Sequence, residues 1–437
     1  MNIILFLLFF IILLYDVKKG IIIYAPFKLF FIRGYILYGN IGFDLIVSIV
    51  AFILYLCTYG INRKMKVPWL IGLLVGLIAY IANSLYPLFH PMIALIDTFC
   101  VYLYSIIYFA SIQTKEDRQL AVRSIIIVFI LLVGNGLIEF LTQNNILGDF
   151  QRSYIKEGVF ISEKKEVRFG VFRTRSFVPH AIGFGVECTC FFIFFLLYAK
   201  TLKKLSLSYY SLIVLSAIGV FISGSRTPLL GLGIMLIPLL VNSSFFNIRH
   251  FVLLCGFLLV VYVFTESYVI DMLLSLEANN KSKEVSGSSF EMRMIQLNYS
   301  VYYWLQKPIW GWGASADVLH FGDRSEIFGG ESVWFTLMMK RGLVGMISYI
   351  FIYISIFWSV RHLKIKKYII GFMVGWLSIA TGTNLPGVSF FFPLMIITLL
   401  YKYREEFKEE FGSANNLSYL SKTQVDLLET IINNRRR

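Results

Sequence analysis

The sequence predicts an all-α polytopic membrane protein with about 12 transmembrane helices and two large extracytoplasmic loops. Three observations predict it. Of 437 residues, 57% are hydrophobic, whereas soluble domains hold about half. Mean hydropathy is +0.72. Apolar runs of about 20 residues recur along the chain and are unbroken rather than alternating, which selects helices over a closed barrel.

Taken in order, spans are expected near 2–15, 42–60, 68–86, 93–111, 124–142, 178–199, 207–223, 227–242, 250–266, 333–359, 368–383 and 386–401. Met1 to Tyr15 lacks a basic n-region and a small-residue cleavage site, so it reads as a retained first span. The stretch 21–33 fits a re-entrant or interfacial piece, which leaves the count open by one. Residues 1–402 form the membrane domain, and 403–437 a charged cytoplasmic tail.

Orientation follows from the basic loops. Arg63 to Lys66, Lys115 to Arg123, Lys200 to Lys204, Arg361 to Lys367 and Arg435 to Arg437 are expected in the cytoplasm. Lys18, Lys19, Lys28 and Arg33 break the pattern, because this order of spans puts them outside. The outer loops are then roughly 143–177 and 267–332, with the short Ser223–Arg226 turn on the same side.

The net charge of +14 would suggest nucleic acid in a soluble chain. Here short inter-helix loops hold most of the excess, and no nucleic-acid module is present. The five cysteines (Cys57, Cys100, Cys188, Cys190, Cys255) all fall in expected spans and read as packing residues. There is no zinc-ligand spacing, P-loop, dinucleotide fingerprint or Gly-x-Ser-x-Gly. The early outer segments also lack Asp-x-Asp, so neither metal nor cofactor is expected, and arginines would have to neutralise a leaving group.

Four constellations carry candidate chemistry. Arg173-Thr174-Arg175 stands where an outer loop enters a span, with His180 just inside it. Forked guanidinium donors suit phosphate oxygens, although headgroup contact explains such arginines equally well. In Ser223-Gly224-Ser225-Arg226-Thr227-Pro228, Arg226 opens a helix at a short outer turn, against the positive-inside trend, and helix N-termini attract anions. Residues 290–305 read as an amphipathic helix on the outer surface, with Arg293 and then Trp304, Trp310 and Trp312; those rings fit an interfacial belt or a glycan-stacking wall. Glu331 stands where the loop enters the next span, as a helix-start acid or a general base.

At these residues the chain resembles the O-antigen polymerase and O-antigen ligase superfamily of bacterial envelope proteins. Three pieces match in order: Ser225-Arg226; Arg293 followed by Trp304, Pro308 and Gly311-x-Gly313; and Gly330-Glu331-Ser332 followed by Gly342-Leu343-Val344-Gly345. Ligases usually carry a His where this chain has Glu331, which leaves Glu331, His180 and His320 as candidate bases.

The resemblance implies glycosyl transfer on the outer face of the bacterial cytoplasmic membrane, without metal. The donor and acceptor would be undecaprenyl-pyrophosphate-linked oligosaccharides. Arg226, Arg293, Arg173 and Arg175 would bind pyrophosphate, and Trp304, Trp310 and Trp312 would contact glycan. The bilayer and a chain-length regulator are the further partners such a system can have. Polymerase is the first reading, a ligase acting on lipid A core or protein the second, and a polysaccharide flippase the third. A transporter should hold its cations within a central cavity, whereas here they gather at the outer rim.

Overall fold

Helices that are apolar all round bury against one another or against lipid, and either way every backbone group must be satisfied within the helix. The computed structural model describes residues 2–30, 36–38, 41–60, 67–84, 95–145, 167–168, 171–178, 180–201, 207–240, 290–313, 316, 332–363, 365–383 and 388–403. Its elements begin with α1 (Asn2–Tyr15), α2 (Val17–Phe27), strands β1 (Ile36–Tyr38) and β2 (Ile41–Gly42), α3 (Phe43–Tyr59) and α4 (Leu70–Ser84). A π-helical stretch (Asp97–Leu103) leads into α5 (Tyr104–Ser111), followed by α6 (Lys115–Thr142), β3 (Val167–Arg168), β4 (Val171–Phe172), α7 (Ala181–Thr201) and α8 (Leu207–Ile222). The chain continues through α9 (Arg226–Leu240), α10 (Phe290–Gln306), α11 (Val333–Val360), α12 (Lys366–Gly382) and α13 (Val388–Lys402).

Every expected span coincides with a helix except 250–266, which lies outside the described residues. Lys115–Thr142, Ala181–Tyr198 and Val333–Val360 contain helix long and apolar enough to cross a membrane, judged by length and composition. The strands form two short antiparallel ribbons, β1 with β2 and β3 with β4.

Helix ends that flank several of the basic loops meet at one end of the bundle. Ser359 Oγ donates to Pro68 O at 2.8 Å, which joins the end of α11 to the start of α4. Tyr198, near the end of α7, packs on Tyr209 and Tyr403. Arg118 lies 5.6 Å from the Tyr403 ring, and Lys402 lies 4.1 Å from that of Phe109.

Lys18 belongs to this same end. Its ammonium reaches Gln113 Oε1 at 3.4 Å and lies 4.6 Å from the Tyr59 ring. Lys18 therefore lies at the same end as the start of α6, whereas the expected order of spans puts the two at opposite ends. Asp16 ends α1 and caps α2, accepting from Lys19 N at 3.0 Å, so the chain turns back there as a separate helix. Lys28 faces neither side. It is fully buried at 2.5 Å from Asp44 Oδ1 and 2.8 Å from Ser48 Oγ, with the Tyr104 ring 4.3 Å away. A paired, desolvated lysine carries no loop-charge information, which is why it broke the orientation rule. Arg33 lies outside the described residues.

At the opposite end, α11 breaks. Gly342 takes φ 55°, ψ −154° inside it. In a straight helix Trp334 and Tyr349 would stand about 22 Å apart, yet their ring centroids are 5.4 Å apart. The segment before Gly342 therefore folds over the rest of the helix. α10 pairs with this segment and crosses the same end, from the close of α12 at Gly382 to the close of α4 at Asn83.

Candidate functional site

Close helix packing sets the level of the site. α9 and α12 run antiparallel, and a Cβ on Gly231 would stand 2.4 Å from Ile379 Cγ1, while one on Gly375 would stand 2.3 Å from Met235 Cγ. Such small-residue contacts let backbones approach where no side chain fits. In this register Thr227, next to Arg226, meets Gly382, whose Cβ position lies 2.8 Å from Thr227 Cγ2. Arg293 of α10 donates from Nη2 to that same Gly382 carbonyl at 3.2 Å. The starts of α9 and α10 thus meet at the end of α12.

Ser332 brings the start of α11 to the same place. It caps α11, accepting from Trp334 N at 3.2 Å, and its hydroxyl donates to Ala380 O at 3.4 Å. Trp334 Nε1 donates to Thr381 Oγ1 at 3.2 Å.

The Arg173–Ser176 segment forms the adjoining wall. Thr174 N donates to Ile222 O at 3.0 Å. Arg173 donates from Nε to Ser223 O at 3.4 Å and from Nη2 to Ser225 Oγ at 2.8 Å. It therefore clamps the turn that presents Arg226. Gly224 sits at φ 59° with Arg173 Cγ 2.8 Å from its Cβ position, so a side chain fits neither the dihedral nor the space. Arg175 is also buried, its Nε 4.0 Å from Glu139 Oε1.

His180 begins α7. Its Nδ1 accepts the Ile182 N–H at 3.2 Å. With Nδ1 accepting at a helix start, a neutral ring carries its proton on Nε2. To serve as a base at Nδ1 it would have to release that N–H. Glu331 and His320 lie outside the described residues.

Arg173 thus grips Ser225 in the turn before Arg226, Arg293 meets the α9 start at Gly382 through its neighbour Thr227, and Arg175 lies against Glu139. The tryptophans stand apart. Trp304 Nε1 donates to Pro308 O at 2.9 Å, and Trp312 Nε1 to Tyr303 O at 2.8 Å. Lys307 lies 4.0 Å from the Trp312 ring. These two indoles close the far end of α10 on itself, whereas Trp310 is exposed. Sequence reading passed over Glu139, Asn135 and Asn145, which hold the wall. The available signal was a carboxylate and an amide inside an otherwise apolar span.

Residues 211–350 match the family model for O-antigen ligase. The matched segment supports the O-antigen polymerase and ligase superfamily that the sequence resembles. The matched segment holds Arg226, Arg293 and Ser332, while Arg173, Arg175, His180 and Glu139 precede it. Superfamily members are membrane enzymes of glycan transfer that use lipid-linked substrates, and the family together with the apolar helices points to the bacterial inner membrane. No curated protein matches the chain.

Proposed function

We propose that this protein polymerises a bacterial surface polysaccharide (O-antigen, capsule or exopolysaccharide). Glycosyl transfer would run between undecaprenyl-pyrophosphate-linked repeat units on the outer face of the cytoplasmic membrane. The observation that supports this reading is that Arg293 and the start of α9, which carries Arg226 next to Thr227, both reach Gly382 at the end of α12.

In this mechanism the leaving group is a lipid pyrophosphate. Negative charge grows on it as the glycosidic bond breaks, and guanidinium groups aimed there stabilise the transition state more than the ground state. Arg226 and Arg293 take that role in place of a metal. Arg173 and Arg175 hold the wall beside them. A base accepts the proton of the attacking hydroxyl; Glu331 and His180 are the candidates. Direct displacement inverts the anomeric carbon, and linkage analysis showing retained configuration would refute that step.

The test compares glycan in a deletion strain complemented with wild type, Arg226→Ala or Arg293→Ala. Each Ala variant should abolish the long ladder at unchanged membrane level, and Lys at either site should rescue poorly because it lacks the fork. Full activity in both Ala variants would remove the proposed site. The description of the matched family favours a ligase as the second reading. A ligase predicts long lipid-linked chains left unattached, whereas a polymerase predicts single repeat units at the surface. Units trapped on the cytoplasmic side would instead indicate a flippase.

A further inference from the structure

We infer that Glu139 is a positioning residue of this site, fixing the Arg173–Ser176 segment and, through Arg173, the helix start that presents Arg226. The inference rests on the polymerase reading only in assigning Arg226 to the substrate.

Glu139 lies near the end of α6 and is buried. A carboxylate there is costly unless its oxygens are satisfied. Oε2 accepts two successive backbone N–H groups, from Arg175 at 3.2 Å and from Ser176 at 2.6 Å. Oε1 stands 4.0 Å from Arg175 Nε. Successive amides converging on one anion form a nest, and here the protein supplies the anion itself.

The segment so held does not rest in a relaxed conformation. Ser176 has φ 54°, the left-handed region that a non-glycine residue enters only when its surroundings impose it. Its hydroxyl donates to Leu132 O at 2.6 Å and accepts from Asn135 Nδ2 at 3.2 Å. Asn145 Nδ2 donates to Ser176 O at 2.7 Å. On the other side of Thr174, Arg173 grips Ser223 O and Ser225 Oγ. A shift of the segment on α6 therefore moves the α8–α9 turn, and Arg226 with it.

Two substitutions separate positioning from charge and from simple stability. Glu139→Gln keeps side-chain length and one acceptor oxygen but loses the charge. Glu139→Asp keeps the charge but withdraws the oxygens from the two amides. Membranes of the deletion strain carrying each variant would be supplied with the undecaprenyl-linked repeat unit extracted from that strain, and chain extension measured.

Glu139→Asp should lower kcat about 100-fold, as misplacement on the ångström scale can, with KM and membrane level near wild type. Glu139→Gln should keep most of the activity and the wild-type pH profile. In an Arg173→Lys background Glu139→Asp should add little, because the two act through one path. Aspartate matching or exceeding glutamine would overturn the inference, as would wild-type activity in both. A Gln variant that loses a limb of the pH profile would also overturn it, by making Glu139 a proton carrier. If Arg226→Ala is inactive while Glu139→Asp is normal, only this inference fails. If Arg226→Ala and Arg293→Ala are both fully active, the reading of the site fails first.

Discussion

The two ends of α10 are built from opposite materials. At its start, Arg293 reaches the last carbonyl of α12 with a side chain. Beyond its close, the segment 308–313 plugs the break in α11 with backbone alone. Trp312 N donates to Met339 O at 2.7 Å, Gly313 N to Lys340 O at 3.0 Å, Leu343 N to Pro308 O at 2.8 Å and Val344 N to Ile309 O at 3.1 Å. A broken helix in a membrane domain exposes carbonyls and amides that lipid cannot satisfy, and this hook satisfies them. In sequence, Arg293, Pro308 and Gly311-x-Gly313 read as one pattern, with Gly342 in the piece that follows. In space it is two devices, a cationic contact and an architectural joint about 20 Å away along the helix. A residue pattern shared across a superfamily therefore need not mark one site.

The sharpest way to break this comparison is at the joint. A Cβ on Gly342 would stand 2.6 Å from both Ile309 O and Pro308 O, at a dihedral pair open essentially to glycine alone. Gly342→Ala should therefore prevent accumulation of folded protein, seen as loss of the monodisperse peak in detergent. Arg293→Ala should behave in the opposite way, with melting close to wild type and polymer absent. If Gly342→Ala folds normally yet is inactive, the hook belongs to the chemistry after all.

A smaller effect is expected at Asn83. Its Nδ2 donates to Trp310 O at 2.9 Å and Arg341 O at 2.8 Å, tying α4, the hook and the broken helix together. Asn83→Ala removes both bonds from a buried setting and should cost about 1–3 kcal/mol, read as a lowered thermal midpoint in detergent. The length distribution of the glycan should be unchanged at permissive temperature.

Helix positions were legible because apolar length records them directly. The direction of the first helices was not, since loop counting treats every lysine alike. Lys28 is paired with Asp44 inside the bundle, and Lys18 returns to the basic end because Asp16 starts a second helix. Arg226 and Arg293 were legible as candidates because cations at the rim of an apolar chain are conspicuous. That Arg293 and the α9 start meet at Gly382 was not, since it depends on the register between α9 and α12. Arg173 illustrates the remaining gap. Guanidinium chemistry makes it a phosphate candidate, and the structure adds that its Nε and Nη2 reach Ser223 O and Ser225 Oγ. Nothing in the residue type tells a ligand-binding fork from one that clamps a turn.

The smallest expected effects lie with the tryptophans, and they test whether the hook end meets glycan at all. Trp312 rests edge-on to Tyr303, with centroids 6.4 Å apart, and donates its indole N–H to Tyr303 O. Trp312→Phe keeps most of the ring area but loses that bond, so it should cost about 1 kcal/mol and leave KM unchanged. Trp310 uses its carbonyl for Asn83 while the residue stays 40% exposed. Trp310→Ala should therefore change stability by no more than about 0.5 kcal/mol. With the joint intact and the ring removed, extension kinetics in membranes isolate the ring's contact with substrate. An unchanged KM makes the hook end purely architectural, whereas a raised KM in Trp310→Ala alone would extend the glycan path along α10, from Arg293 to its far end.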